Sequence, residues 1–357
     1  MPSLVGSEMC IRDSRNINND TYSSNGCSYG CLSYTLKLDK EVIRIMKTGK
    51  VSDTILGRSV FKLLGKRGNT VKPAYGQDAA HIINEGNVLA AVATGELAVY
   101  RAANNISAAG GVTDSIMNTI VLDEKSREIR LKEIIKEIDR QSCVIGAGIA
   151  GGHTTVSRDV NHPVVSVTAI GHEVYKQRKA VAGQDIVLTK YIGMSGIRDV
   201  ISARREDILK VYTQDIIDKA LTDDKELLVA KEAAVFVNEG VEGAMHDVSE
   251  GGIFAALWDM AEYSGVGLEV DLRNIPVKQE IIEICELFNI NPYILDSMGC
   301  LLMTCENGCD IVNTMQQNGI EAAVIGKVTD SNNRIIHNTE EDRFLGLPEQ
   351  DEIYRFI

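Results

Sequence analysis

The sequence predicts an α+β or α/β protein of two folded units. Three observations carry that reading: apolar runs of strand length alternate with amphipathic helical patterns, glycine-rich junctions separate them, and no long linker intervenes. At 357 residues, with 44% hydrophobic and 24% charged residues, the chain has the composition of a globular protein large enough for two cores. Its formal net charge of -13 argues against a surface built for nucleic-acid phosphates or anionic lipid, while leaving room for a local cationic pocket. It contains no uninterrupted apolar stretch of roughly twenty residues and no signal pattern at its N-terminus, which points to the cytoplasm and to no membrane or nucleic-acid partner.

The elements follow in order. Residues 1–45 read as a leader outside the fold. The decapeptide "LVGSEMCIRD" (residues 4–13) resembles a translated transposase sequencing adapter, and the Asn/Ser/Gly-rich stretch after it has no apolar periodicity, which predicts an unordered segment. A genuine flexible leader is the alternative to a cloning scar. On the first reading the native chain starts at or near Met46, and Ile55, Val60, Leu63 and Leu64 then share a helical face after a Ser/Asp cap. Residues 46–175 make the first unit, with strands at "NVLAAVAT", "SIMNTIVLD" and "HPVVSVTAIG" and helices near 97–108 and 124–141. Residues 176–340 make the second, with a strand in "AGQDIVLTKYIG" and a long helical stretch over 206–238. Further helices near 250–263, 278–288 and 309–317 are interleaved with strands "GLEVDL", "GCLLMTC" and "EAAVIGKVT". Residues 341–357 read as a tail. The eight cysteines have no CxxC spacing, so free, mostly buried thiols are expected.

Four short stretches carry chemistry. In "YGQDAA", Asp78 follows a glycine and is either an exposed turn residue or an oxygen ligand for Mg²⁺. "GAGIAGGHTTVS" (residues 146–157) offers unobstructed backbone N–H groups that can wrap an anion, followed by the hydroxyls of Thr154, Thr155 and Ser157. A tight turn after a helix is the alternative. "MHDVSEGG" (residues 245–252) opens a helical run: Ser249 or Asp247 can cap it, Glu250 complements its dipole, and Gly251 and Gly252 expose N–H groups beside a carboxylate. "DSMGCLLMT" (residues 296–304) reads as a structural turn feeding a buried strand.

Taken in order, "GQDAA", "GGHT", "HDVSEGG", "DSMGCLL" and "VIGKV" resemble the aminoimidazole ribonucleotide synthetase superfamily, over about residues 46–340. Relatives include selenophosphate synthetase, thiamine-monophosphate kinase and the hydrogenase-maturation dehydratase, and "AMHDVSEGG" with "VIGKV" is nearest the last. The resemblance implies a two-domain fold: an N-terminal mixed sheet that pairs with a second copy into a barrel, and a C-terminal α/β sandwich. It also implies a homodimeric enzyme that uses ATP and Mg²⁺ to phosphorylate or dehydrate a small-molecule or carrier-bound substrate, with a maturation partner protein in some branches. Carried onto this chain, it makes Asp78, Asp247 and Asn105 the metal side. Gly151, Gly152, His153 and Thr154 would approach the phosphates, completed by Gly251 and Gly252. His153 and Asp247 are the catalytic candidates, with His153 either a general base or a positioning donor.

The chain departs from the pattern where two metal acids are expected. Gly95 follows Thr94 in place of an acid, and Asn104-Asn105 stands where "ND" is usual, so Asn105 offers a carbonyl oxygen without charge. Glu96 or Asp114 could substitute only with a rearranged backbone, and weak Mg²⁺ binding or none follows. The dehydratase also carries its carbamoyl group on a C-terminal cysteine, whereas this sequence finishes "DEIYRFI". A catalytically weakened nucleotide-binding accessory protein is therefore the second expectation.

Overall fold

The computed structural model describes residues 51, 53–62, 76–82, 87–339 and 341–357. The leader, the adapter-like decapeptide, the start at Met46 and two members of the first helical face, Leu63 and Leu64, lie outside these residues. What is described there is the short helix α1 (Asp53–Leu56), running into a π-helical turn over Gly57–Phe61.

The first sheet contains β1 (Ala80–Ile82), β2 (Val88–Thr94), β3 (Gly111–Asp123), β4 (Gly148–Ser157) and β5 (Val164–Glu173), in the order β1-β2-β5-β3-β4. Only β3 and β4 run parallel. Along β3, Ile116, Asn118, Ile120 and Leu122 are buried while Met117 and Thr119 are exposed, the period of two that a half-covered sheet imposes. Helices α2 (Ala98–Ala108) and α3 (Glu128–Ile145) cover the buried face, and Leu89, Ile106, Ile116, Ile120, Ile138 and Val167 share one core. Among the described residues nothing covers the outer face, where Val92 and Met117 are 62% and 45% exposed.

The second sheet contains β6 (Asp185–Thr189), β7 (Met245–Val248), β8 (Gly267–Asp271), β9 (Cys300–Cys305), β10 (Ala322–Thr329), β11 (Arg334–His337) and β12 (Asp342–Phe344), in the order β12-β11-β8-β10-β6-β9-β7. Six further helices accompany it: α4 (Gly196–Leu209), α5 (Gln214–Ala220), α6 (Ala230–Asn238), α7 (Gly252–Ser264), α8 (Gln279–Phe288) and α9 (Gly308–Gln317). This sheet is covered on both faces. Ile186 and Leu188 of β6 join one core with Leu257 and Ile284, while Val187 between them joins another with Phe236, Ile311 and Met315. Strands buried on both sides read as continuous apolar runs, which is why "DIVLT" and "CLLMTC" were visible as strands.

Three expectations need correction. The glycine-rich segment 146–157 is not a loop: Gly146 closes α3 in a left-handed conformation, and from Gly148 the chain runs as β4, where pairing with β3 overrides the glycines' weak strand preference. The helical stretch 206–238 is broken into α4, α5, a 3₁₀ turn and α6, with Thr213 and Asp223 extended at the restarts. The tail 341–357 supplies β12 and a 3₁₀ turn over Glu352–Arg355, with Ile353 buried. Of the described cysteines, all free, Cys285, Cys300 and Cys305 are buried, and Cys143 and Cys309 are exposed.

Candidate active site

A cleft of about 1030 Å³ is lined from both sheets' elements. The end of β2, the turn after it and one face of α2 contribute Thr94, Gly95, Glu96, Arg101 and Asn105, while β7 and the turn after it contribute His246, Asp247, Ser249 and Glu250. Asp78, Asp199, Asp259 and Asp296 enter from the remaining walls. The two asparagines on α2 divide their work by helical position. Asn104 is buried and faces the second sheet's elements: its Nδ2 donates to the Leu227 carbonyl at 2.8 Å and its Oδ1 accepts from the Val229 N–H at 3.1 Å. Asn105, one residue on, faces the cleft.

The charges are arranged in pairs. Asp78 Oδ1 lies 2.7 Å from His246 Nδ1, and Asp259 Oδ2 lies 3.8 Å from the ring's Nε2. Burial disfavours a charged imidazole, but the fields of Asp78, Asp259 and Asp247 outweigh it and hold the His246 pKa up at about 9. Arg101 grips Asp296 through both terminal nitrogens, one contact being 3.4 Å from Nη1 to Oδ1. Burial works against its charge as well, yet Asp296, Glu250 and Asp247 together raise its pKa above the ordinary arginine value. At Asp199 desolvation, then Asp296, outweighs the opposing fields of Arg101 and Arg198 and pushes the carboxyl up to about 6.

The mouth of α7 is closed by the chain itself. Gly251, in a left-handed conformation, is the N-cap, so neither Ser249 nor Asp247 holds that position. Its N–H donates to Asp351 Oδ2 at 2.7 Å, and the Gly252 N–H donates to the Ser249 carbonyl at 3.0 Å. Both donors that the sequence reading offered to an anion are thus engaged. The Tyr354 hydroxyl donates to Glu250 Oε1 at 2.9 Å, so the C-terminal segment forms part of the cleft wall.

The structure therefore brings Asp78, Asn105 and Asp247 to one cleft and leaves Gly151, Gly152, His153 and Thr154 outside its lining. These four are on β4, at the edge of the first sheet. His153 stands in a cross-strand row with Thr119, Ser166 and Thr94. Three strand spacings separate it from Thr94 at the cleft, roughly 14 Å. Of the two substitutes, Glu96 lines the cleft, whereas Asp114 is exposed on β3 and pairs with His172 at 2.9 Å.

The residues do not fit the magnesium ion that the resemblance implies. Among the described residues no three Asp, Glu, His or Cys side chains gather as a metal set. Asp78 is committed to His246 and Asp296 to Arg101, and Asn105 brings no charge. The second oxygen of Asp78 is buried without a hydrogen-bond partner among the described residues, but one oxygen is far short of what a hard cation takes. Sequence reasoning missed Arg101, Asp199 and Asp351. A lone arginine on an amphipathic helix carries no motif, and Asp351 acts from 100 residues away.

Comparison with known proteins places this geometry in a family. Residues 79–172 match the N-terminal domain of AIR synthase related proteins, and residues 181–338 match their C-terminal domain. The carbamoyl dehydratase HypE of Rhizobium leguminosarum bv. viciae is 26% identical over 253 residues, covering 68% of this chain and 70% of that protein. A crystal structure of hydrogenase maturation protein HypE in complex with ATP superposes with a TM-score of 0.63 at 16% identity, over 86% of this chain and 98% of that one. A crystal structure of a HypE–HypF complex gives a TM-score of 0.63 at 21% identity, over 76% and 93%. With both domains matched in order, the chain belongs to the family of AIR synthase related proteins.

Proposed function

We propose that this protein binds ATP in the cleft and uses it to phosphorylate or dehydrate a small-molecule or carrier-bound group, close in kind to the hydrogenase-maturation branch. The observation that carries the reading is the convergence of Asp78, Asn105 and Asp247, from three separate motifs, on one cleft within a chain of this family. The relative solved with ATP and the relative named carbamoyl dehydratase support it. A maturation partner protein belongs to the same proposal, since a related fold is solved in complex with HypF. The domain division proposed is 46–175 and 176–340, and the compartment is the cytoplasm. Among the described residues, no helix is long and apolar enough to cross a membrane.

A homodimer is also part of the proposal. The open outer face of the first sheet and the edge strand β4 are the surfaces a second copy would cover. Gly151, Gly152, His153 and Thr154 keep their place in the proposed site through that contact, with His153 a positioning donor or a general base. Asp247 is the proposed cleft residue closest to the chemistry, and Gly251 and Gly252 shape the turn beside it.

A second reading, a nucleotide-binding accessory protein with reduced catalysis, is favoured by the uncharged Gly95 and Asn105 in the lining. Calorimetric titration of ATP into the full chain and into Asp247→Ala tests the first reading. Binding that weakens at least about tenfold in the variant supports it. Binding indifferent to the substitution, with no gain of turnover in Asn105→Asp, favours the accessory reading, and no binding in either protein removes ATP as the ligand.

A further inference from the structure

The cleft has an electrostatic problem that its own residues must solve. Among the described residues, seven carboxylate side chains line it, against two arginines and His246. Arg198 turns its guanidinium to Asp224, at 2.8 Å, and His246 is taken by Asp78. Arg101 is left among the other acids, bonded twice to Asp296 and in the field of Glu250 and Asp247. Carboxylates drawn together out of water must take up protons or share a cation, and a planar guanidinium with five donors can bind two oxygens at once, as a hard metal ion does.

We propose that Arg101 is the resident cation of this cleft, occupying among Asp296, Asp247 and Glu250 the place a divalent ion takes in a carboxylate site, so that the cleft holds no divalent ion of its own. Three observations converge on it. Arg101 lies one helical turn before Asn105, on the α2 face that meets the cleft. The residues at the two positions where acids are expected, Gly95 and Asn105, are uncharged. No three ligating side chains gather as a metal set among the described residues. A fixed guanidinium explains all three: it supplies the counter-charge, so extra acids are unnecessary and Asp296 turns toward it.

This inference deepens the reading of the cleft as a nucleotide site, but its test contains no nucleotide, so the two can fail separately. Mn²⁺, which takes the same oxygen donors as Mg²⁺, is titrated into the nucleotide-free full chain, with the free ion followed by its electron paramagnetic resonance signal. The wild type and Arg101→Lys are expected to bind it only weakly, and Arg101→Met at least about tenfold more tightly. That gain should vanish when Asp296→Asn is added. Circular dichroism checks that each variant is folded. Tight stoichiometric Mn²⁺ binding by the wild type overturns the proposal, as does a folded Arg101→Met that gains nothing. Should Arg101→Met not fold, Asn105→Asp decides with Arg101 in place. No gain in Mn²⁺ affinity is expected there, and a gain of about tenfold or more means that the cleft lacked an acid rather than holding a cation.

Discussion

Two glycine-rich segments looked alike as sequence and behave oppositely in the fold. "GAGIAGGHTT" becomes an edge strand whose Gly148 and Gly151 have open space where a Cβ would stand. "SEGG" becomes a closed junction, where a Cβ on Gly252 would sit 2.5 Å from the Tyr293 carbonyl oxygen and 2.8 Å from that of Leu295. In the first, glycine leaves backbone approachable from outside. In the second it lets three segments of one chain meet, and their own groups use its donors. A glycine motif therefore announces close approach, and only the packing around it says whether a ligand or the protein itself does the approaching.

The sharpest way to break this contrast is Gly252→Ala, which combines a φ of +64° with two backbone clashes. We expect a loss of roughly 2–4 kcal/mol in urea unfolding. A loss under about 0.5 kcal/mol would mean the junction is loose and its N–H groups available. Next is Val156→Lys on β4, 61% exposed, as a probe of the open edge. It should weaken self-association about tenfold or more by sedimentation equilibrium, and an unchanged oligomeric state would remove the second copy from this edge.

A smaller effect is expected from pH. Burial, and then Asp296, push the Asp351 carboxyl up to about 7, from an unfolded value near 3.9. The folded chain then binds a proton that the unfolded chain releases. Stability is greatest below about pH 4 for this group and declines as pH rises toward 7. Asp351→Asn should flatten that decline relative to wild type in parallel melts at pH 5 and 8, and parallel curves would show that Asp351 is not desolvated. The His246 contribution, present below about pH 6.5 and lost through about 9, should be the same in both proteins. The smallest expected effect is Gly151→Ala, within about 0.5 kcal/mol and in the stabilising direction. That expectation is for the dissociated single copy, and a larger loss there would mean that another part of the same chain covers this strand.

Much of the architecture was legible because β5, β6, β8, β9 and β10 carry apolar runs whose length and punctuation admit little else. β4 and β7 were not. One is rich in glycine, and the other is four residues long and holds a histidine and an aspartate, both buried because the sheet is covered on each side. At the site, motifs announced Asp78 and Asp247, since each sits beside a glycine-bearing turn. Arg101 and Asp351 matter through partners 195 and 100 residues away, and local patterning contains no such information.

The clamp at Asn104 makes a single amide a gauge of the whole assembly. The Val229 N–H is held by a side chain of α2, which packs on the first sheet, while Val229 itself belongs to a core of the second. Its proton can exchange with solvent only when the two halves part at this joint. The rate at which deuterium replaces it measures how large a fraction of molecules is open at this joint, and whatever ligand ties the halves together should be seen first as a slowing at that one position.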